Sequence, residues 1–502
     1  MQSFLPEIFL SLFSLILLLI NSYLVIYLEK NHPIITKEIF SQIFFLLICM
    51  LFLTANNKIQ GFFVNFLFLN DISSTFIKFV LIVIAIFILF PLNRSYFNSK
   101  QNFIEYFVLY LLSLLSLLLL ISASDLLSVY LIIEMQALSF YILACFKRNS
   151  SFSTEAGLKY FISGSFFSGI FLLGASFIFG VLGTLNFYHI NLLLSIPISD
   201  SLYLEHNILI VGILLIVSTI LFKLAAAPFH FWAPDVYEGA PLSSTIIFSI
   251  LPKFSIFYFF FKWLSVLGPI MSEIQFFFVI SGLLSIFIGS FFSLYQKRFK
   301  RLLIFSSIAQ VGFLIVAMSI NTLNSMASVF FFLTVYIITS FLIWSNFTLL
   351  SGFQEKISTF LVKLPTPLFI SSLSSFFVTN KIWSLSNVLI FFSLAGIPPL
   401  VGFFAKVFII SSLLDKGNIV NSLFLLLLSA ISVFYYLRII KIIFFEKPRK
   451  NFFSSQIVFW DSFLTTESFL IAFFLFLLLF LFFFPSSLLI IYFLTSFNFF
   501  FF

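Results

Sequence analysis

The sequence predicts an all-α polytopic membrane protein of about 14 transmembrane helices, arranged as two inverted five-helix repeats that each contain a broken helix. Three observations carry this. The chain is 62% hydrophobic and 9% charged, whereas a soluble chain has roughly 45–50% apolar and about 25% charged residues. Its apolar segments recur at the ~20 residues a helix needs to cross the hydrocarbon. Two segments are interrupted by proline and hold a lysine: LFKLAAAPFHFWAPDVYEGAP contains Lys223 and Pro228, and LAGIPPLVGFFAKVF contains Pro398, Pro399 and Lys406.

In chain order the predicted spans are 4–27, 39–55, 72–91, 103–121, 124–146, 153–182, 207–238 (broken), 241–264, 270–294, 301–320, 323–350, 385–413 (broken), 419–445 and 466–490. The first has no basic stretch ahead of its apolar run and no small-residue cleavage site, so it reads as a retained span. No Arg/Ser-rich transit segment precedes it, which favours synthesis inside an organelle or a bacterial origin. Polar Ser122–Asp125 divides the fourth span from the fifth, and 353–384 is expected to hold an interfacial or lateral helix. Residues 1–102 then form three N-terminal helices, 103–264 the first repeat, 265–445 the second, and 446–502 the last helix and tail. Because five is odd, the second repeat enters the membrane in the opposite direction, and the broken span at 385–413 matches that at 207–238.

Threading these spans puts sixteen loop lysines and arginines on one side and only Lys58, Lys78, Lys262 and Lys416 on the other. The basic side is then the cytoplasm or matrix, and both termini face away from it. The net charge of +8 is spread over short loop clusters, which does not call for a nucleic-acid partner. Cys49 and Cys145 lie in apolar stretches, and four scattered histidines with no CxxC or Gly-rich phosphate loop give no metal or nucleotide site. The 83 phenylalanines read as lipid-facing filler from an AT-rich gene, a bias that fits an organelle genome.

An ammonium inside a hydrocarbon-spanning helix costs roughly 2.5–3.5 kcal/mol on insertion scales, so Lys223 and Lys406 must face protein or water, and such residues mark ion pathways. Their proline breaks free backbone groups and can admit water. Glu134, mid-span in SVYLIIEMQALSFYILA, is tolerable ionised only beside a cation. Paired with Lys223 it would control proton gain and loss there; the alternative is a packing hydrogen bond to a neighbouring Tyr or Ser. Lys253, on the next span, is either a second proton carrier or a span-end lysine reaching for water. His230 either relays protons between Lys223 and Lys253 or caps carbonyls freed by the break. Lys159, in STEAGLKYFISG, is closer to the basic surface and is either a carrier or a snorkelling side chain. Arg438 cannot deprotonate and reads as a fixed counter-charge, and Gly157, Gly164 and Gly169 permit close helix contact.

Four stretches, IEMQALSFYILA, LKYFISGSFFSGIFLLGASFIFGVLGTLNF, LFKLAAAPFHFWAPDVYEGAPLSSTIIFSILPK and SLYQKRFKRLLIFSSIAQVGFL, together with SLAGIPPLVGFFAKVF, resemble the subunit 2 family of respiratory complex I, the proton-pumping NADH:ubiquinone oxidoreductase. The resemblance covers nearly the whole chain. Subunits 4 and 5 read more like FHTWLPEAH at the broken helix, and subunit 4 has a glutamate where this chain has Lys406, so PDVYEG and Lys406 both point to subunit 2. The resemblance implies an antiporter-like fold with proton half-channels, and it places the family's glutamate at Glu134 and its lysines at Lys159, Lys223, Lys253 and Lys406. It implies other membrane-arm subunits as partners, a phospholipid bilayer, and no cofactor on this chain, with FMN, iron–sulfur clusters and ubiquinone used elsewhere in the complex. The implied location is the mitochondrial inner membrane, with a bacterial plasma membrane as the alternative. The expected function is proton translocation coupled to distant quinone reduction through Glu134, Lys223, His230, Lys253 and Lys406. The rivals are a multi-subunit sodium/proton antiporter and a scaffold with inert buried charges. A lipid-modifying enzyme has neither a metal motif nor a nucleophile–base pair to support it.

Overall fold

The computed structural model describes residues 4–27, 33–57, 61–64, 66–99, 103–195, 203–358, 369–375, 381–446 and 466–500. The apolar runs fold as helices because a helix satisfies its own backbone polar groups where no water can. In the N-terminal half these are α1 (Leu5–Tyr27), α2 (Pro33–Ala55), α3 (Ile72–Ser99), α4 (Phe103–Ser122), α5 (Leu126–Ala144), α6 (Ser151–Leu182), α7 (Phe187–Leu194), α8 (Tyr203–Lys223), α9 (Trp232–Gly239) and α10 (Leu242–Val266). There follow α11 (Met271–Tyr295), α12 (Phe299–Met318), α13 (Leu323–Ser358), α14 (Lys381–Ala395), α15 (Val401–Asp415), α16 (Ile419–Phe445), α17 (Thr466–Phe483) and α18 (Pro485–Phe500). Among the described residues ten helices are long and apolar enough to cross a membrane, or up to eleven if the bent pair α17–α18 is one span. Shorter apolar helices occur at Leu5–Ile20, Ile39–Ala55 and Lys381–Ala395.

The chain is not wholly α-helical. Gly61–Phe63 (β1) and Phe68–Asn70 (β2) pair antiparallel with Gly61 opposite Asn70, and strands this short print no period-two pattern on a sequence. The short α7 was not expected either; the Asn186 side chain caps it by accepting from Tyr188 N at 3.0 Å. The predicted span 466–490 is two helices bent by 85°, since Pro485 has no N–H with which to continue the ladder. In 353–384, α13 runs on to Ser358 and a 3₁₀ turn occupies Ile370–Ser375. The rest of that stretch, 359–368 and 376–380, lies outside the described residues, and with it part of the segment expected to hold an interfacial or lateral helix.

At the centre, α10 is buried nearly all round, packed by α3, α4, α5, α8 and α13. The α11 and α12 backbones approach closely because Gly282 faces Gly312, where an added Cβ would stand 2.7 Å from Gly282 O. Gly157 and Gly164 press against Cys145 and Tyr141 of the neighbouring segment as expected, but Gly169 faces open space.

Both expected breaks are present, and they share one conformation. Ala225 (φ 59°) and Gly396 (φ 78°) are left-handed, and each precedes a cis proline, Pro228 and Pro399, by three residues. After α8, Ala225 N donates to Phe222 O and Ala226 N to Leu221 O, both at 2.9 Å. After α14, Gly396 N donates to Ser393 O at 3.1 Å and Ile397 N to Phe392 O at 3.2 Å. In this helix ending, the left-handed residue turns successive N–H groups back onto carbonyls of the last turn.

Candidate functional site

Three lysines enter the bundle from three elements: Lys223 closes α8 at the first break, Lys253 lies within α10, and Lys406 follows the second break in α15. Lys223 is partly buried, whereas Lys253 and Lys406 are 5% and 7% exposed, which excludes the reading of Lys253 as a lysine reaching for water. Lys253 Nζ donates to Tyr336 Oη at 2.6 Å, with the Tyr336 ring centroid 4.5 Å away. Lys406 Nζ donates at 2.6 Å to Ala395 O, the last carbonyl of α14, which the break leaves without a helical partner. It also lies 5.7 Å from the Phe313 ring centroid. Gly396 makes room for this return, since a Cβ there would sit 2.8 Å from Lys406 Cδ and 3.1 Å from Nζ. A hydrogen bond to a charged group contributes about 1.5–3 kcal/mol, comparable to what placing the ammonium in the membrane costs. The broken helix and its lysine therefore stabilise each other.

Between Lys253 and Lys406 lie two small cavities with Tyr336, Gln310 and Leu394 common to both walls. One, of about 30 Å³, is also lined by Tyr237, Ser249, Ser306 and Ser307. The other, of about 20 Å³, reaches Thr339, Ser393 and Lys406. A water needs roughly 10–15 Å³ and two to four polar partners, and both spaces meet that requirement. Lys253, Tyr336, a water-sized polar space and Lys406 are thus contiguous across the interface of the two halves. Tyr336 and Gln310 are not among the residues the sequence picked out. The signal for Tyr336 was its place with Thr339 and Ser340 at helical spacing i, i+3, i+4 within an apolar run, a polar stripe that neutral residues make faint.

Glu134, part-buried on α5, makes neither an ion pair within 4.0 Å nor a hydrogen bond with Lys223 among the described residues; the two charges act on each other through space. The expected pair is thus one without direct contact: α6 packs along both α5 and α8, so the helices bearing the two charges meet through a third. His230 is buried, and its Nδ1 has no hydrogen-bond partner. The carbonyl of Phe222, which already accepts from Ala225 N, accepts a second hydrogen bond from Trp232 Nε1 at 2.9 Å, so the indole adds to the closure of the break. Trp232 is held by stacking on Tyr160, with ring centroids 4.6 Å apart.

Lys159 stands apart from the buried lysines. It lies on the exposed face of α6 and bonds Glu155 Oε1 at 2.8 Å and Asp235 Oδ2 at 3.0 Å. Arg301 reaches Asp235 at 3.3 Å, and Arg298 pairs with Glu238, around a surface cavity of about 160 Å³. This cluster joins α6, α9 and the start of α12 at one end of the bundle. Among the described residues no group of three His, Cys, Asp or Glu side chains is placed to hold a metal ion.

The family model for NADH:quinone oxidoreductase/Mrp antiporter transmembrane subunits matches residues 123–433, from the turn before α5 into α16. The chain is 33% identical over 452 residues to NADH-quinone oxidoreductase subunit N of Pelagibacter ubique, covering 89% of this chain and 90% of that one. The chain belongs to the family of antiporter-like membrane subunits of NADH:quinone oxidoreductase. It is also 37% identical over 358 residues to NADH-ubiquinone oxidoreductase chain 2 of Marchantia polymorpha, covering 71% of this chain and 70% of that one. The fold of this antiporter-like subunit matches a chain of respiratory complex I from Thermus thermophilus with a TM-score of 0.74 at 22% identity, over 97% of this chain and 98% of the other. The subunit is accordingly a multi-pass membrane protein of a respiratory enzyme complex.

Proposed function

We propose that this antiporter-like subunit translocates protons along Lys223, Lys253, Tyr336, the water-sized cavities and Lys406. Glu134 acts on Lys223 through space, and His230, with its open Nδ1, stands by the first break as a relay. The observation that carries this is the contiguity of Lys253, Tyr336, the two polar cavities and Lys406 inside an otherwise apolar bundle. Lys159 belongs to the ion-paired surface cluster and serves as the mouth on the basic side. The redox chemistry of FMN, iron–sulfur clusters and ubiquinone is then the work of other subunits, and other membrane-arm subunits cover the apolar outer helices.

The ten long helices, taken with α1, α2, the pair α14–α15 and the pair α17–α18, make fourteen spans. Helices α4, α5, α6, α8–α9 and α10 form the repeat at 103–264, and α11, α12, α13, α14–α15 and α16 form its inverted counterpart at 265–445, a pairing supported by the shared backbone path of the breaks. Residues 1–102 and 446–502 flank them. Orientation follows the positive-inside rule, with one correction. Lys78 and Lys262, taken above as loop residues, are helical and 2% and 6% exposed, so neither counts among the loop charges of the poorer side. The AT-biased, Phe-rich composition supports a mitochondrial inner membrane; the close match to a bacterial subunit N over nine-tenths of its length supports a bacterial plasma membrane as the second reading.

The test is Lys223→Met and Lys253→Met in the assembled complex, reconstituted into vesicles. Protons moved per NADH oxidised should fall several-fold in each. Normal pumping in Lys223→Met would return the subunit to a scaffold role. An antiporter not joined to an NADH-oxidising arm would show itself by purifying without that activity.

A further inference from the structure

At the end of the bundle opposite the Lys159–Asp235 cluster, charged side chains with no part in the path above converge. Lys78 of α3 and Lys262 of α10 are buried as noted, and Glu7 of α1 is 5% exposed. Lys78 Nζ donates at 2.5 Å to Glu7 Oε1 and at 2.5 Å to Asn70 Oδ1, where β2 ends. Lys262 Nζ donates at 2.7 Å to Ala123 O in the α4–α5 turn, and Phe68 of β2 bridges to that same Ala123. Asp71, part-exposed at the start of α3, acts electrostatically on both lysines. Burial raises its carboxyl above the ordinary range, and the Lys262 and Lys78 charges oppose that rise. Glu7 Oε2 is buried with no hydrogen-bond partner. Asp125, in the same turn as Ala123, is engaged in accepting from Leu127 N at 2.8 Å.

The hairpin and the α4–α5 turn could be held by apolar contacts alone, since replacing buried ion pairs with well-packed hydrophobic groups is often neutral or stabilising. The open oxygen of Glu7 leaves this group short of the full pairing a fixed salt bridge requires. Nor is the group isolated. Lys253 and Lys262 share α10 at a separation of 262 − 253 = 9 residues, about 13 Å along the axis. Between them Tyr258 Oη lies 3.1 Å from Ser73 Oγ of α3. Nine residues are about two and a half turns, so the two side chains leave opposite faces of α10 and their positive charges repel weakly, over more than that axial distance.

We propose that Glu7, Asp71, Lys78 and Lys262 form a second proton-exchange site of this subunit, opening to the lysine-poor face through Asp71 and coupled to Lys253 along α10. In the step assigned here the Lys262 ammonium, which makes no ion pair with Asp71 within 4.0 Å, passes a proton by way of water to the Asp71 carboxylate, leaving a neutral amine and a neutral carboxylic acid. The acid then releases that proton to water at the outer face, and Lys78 with Glu7 holds the remaining charge balanced. This rests on the proton-moving role proposed above, and the test separates the two.

Lys262→Arg keeps the positive charge and its pairing but cannot release a proton. In the assembled complex in vesicles, Lys262→Arg should lower protons moved per NADH oxidised at least two-fold and flatten the dependence of pumping on the pH of the lysine-poor side. Wild-type pumping and pH profile in Lys262→Arg, with Lys223→Met impaired, would overturn the second site alone. Wild-type pumping in Lys223→Met would overturn the underlying reading. If Lys262→Arg does not assemble, Asp71→Asn at the part-exposed mouth decides: a loss of similar size with the flattened profile supports the site, and unchanged behaviour overturns it.

Discussion

Each buried ammonium of the proposed path is held by one identifiable oxygen or by none, and that difference sets what single substitutions should do. Lys253 has Tyr336 Oη and Lys406 has Ala395 O, whereas Lys223 has only the through-space influence of Glu134. Tyr336→Phe removes the hydroxyl that accepts from Lys253 and that walls both cavities, forfeiting about 1.5–3 kcal/mol. Pumping should fall about ten-fold in an assembled complex, read by proton uptake into vesicles, and a wild-type rate would exclude Tyr336 from the path. Glu134→Gln removes a charge without breaking a direct contact. It should slow pumping several-fold and leave thermal stability of the complex unchanged; a marked loss of stability would mean that Glu134 is a packing partner instead.

At the scale of the element, the broken helices are where backbone and chemistry meet. Gly396 is left-handed and lies against Lys406. A side chain there meets the ~1–2 kcal/mol that L-residues incur in this conformation and also pushes the ammonium off Ala395 O. Gly396→Ala should therefore lower both thermal stability and pumping. Ala225 occupies the equivalent left-handed position with its Cβ already in place, so Ala225→Gly should have the opposite sign and raise the melting temperature slightly, after the ~0.5–1 kcal/mol of added chain entropy is deducted. Equal effects of the two substitutions would show that the breaks are not equivalent. Trp232 is as local: its indole N–H gives Phe222 O a second bond beside that from Ala225 N, and Trp232→Phe should forfeit about 0.5–1.5 kcal/mol, read as a small drop in melting temperature.

For the whole molecule, the sorting of charge decides orientation. Lys297 and Lys416 are exposed in connections at opposite ends of the bundle. A cysteine replacing Lys297 should react with a membrane-impermeant maleimide from the side on which NADH is oxidised, and one replacing Lys416 only from the other side. The reverse pattern would invert the topology. The two ends also differ in kind. The basic end carries an open ion-paired cavity around Lys159, Asp235 and Arg301, and the other end hides Lys78 and Lys262 beneath a small hairpin.

The sequence by itself determined the long apolar helices, the two breaks and the burial of Lys253 and Lys406, though not that of Lys78 and Lys262. Hydrocarbon leaves an apolar run few backbone options, a proline withholds a donor wherever it stands, and an ammonium in a span is costly in any fold; all three are properties of local sequence. Even there Pro485 was passed over as part of one span, because at a chain's edge a bend and a continuous helix read alike in hydropathy. What only the tertiary structure decided is which polar atoms face each other. Lys253 finds Tyr336 from a residue 83 positions away, Lys262 finds a carbonyl 139 positions away, and Glu134 fails to touch Lys223. Trp232 adds a second bond to Phe222 O across the first break. Those pairings depend on how helices rotate and cross. Neutral side chains such as Tyr336 and Gln310 carry too small a cost in an apolar span to mark themselves, so they become visible only when packing brings them to the lysines.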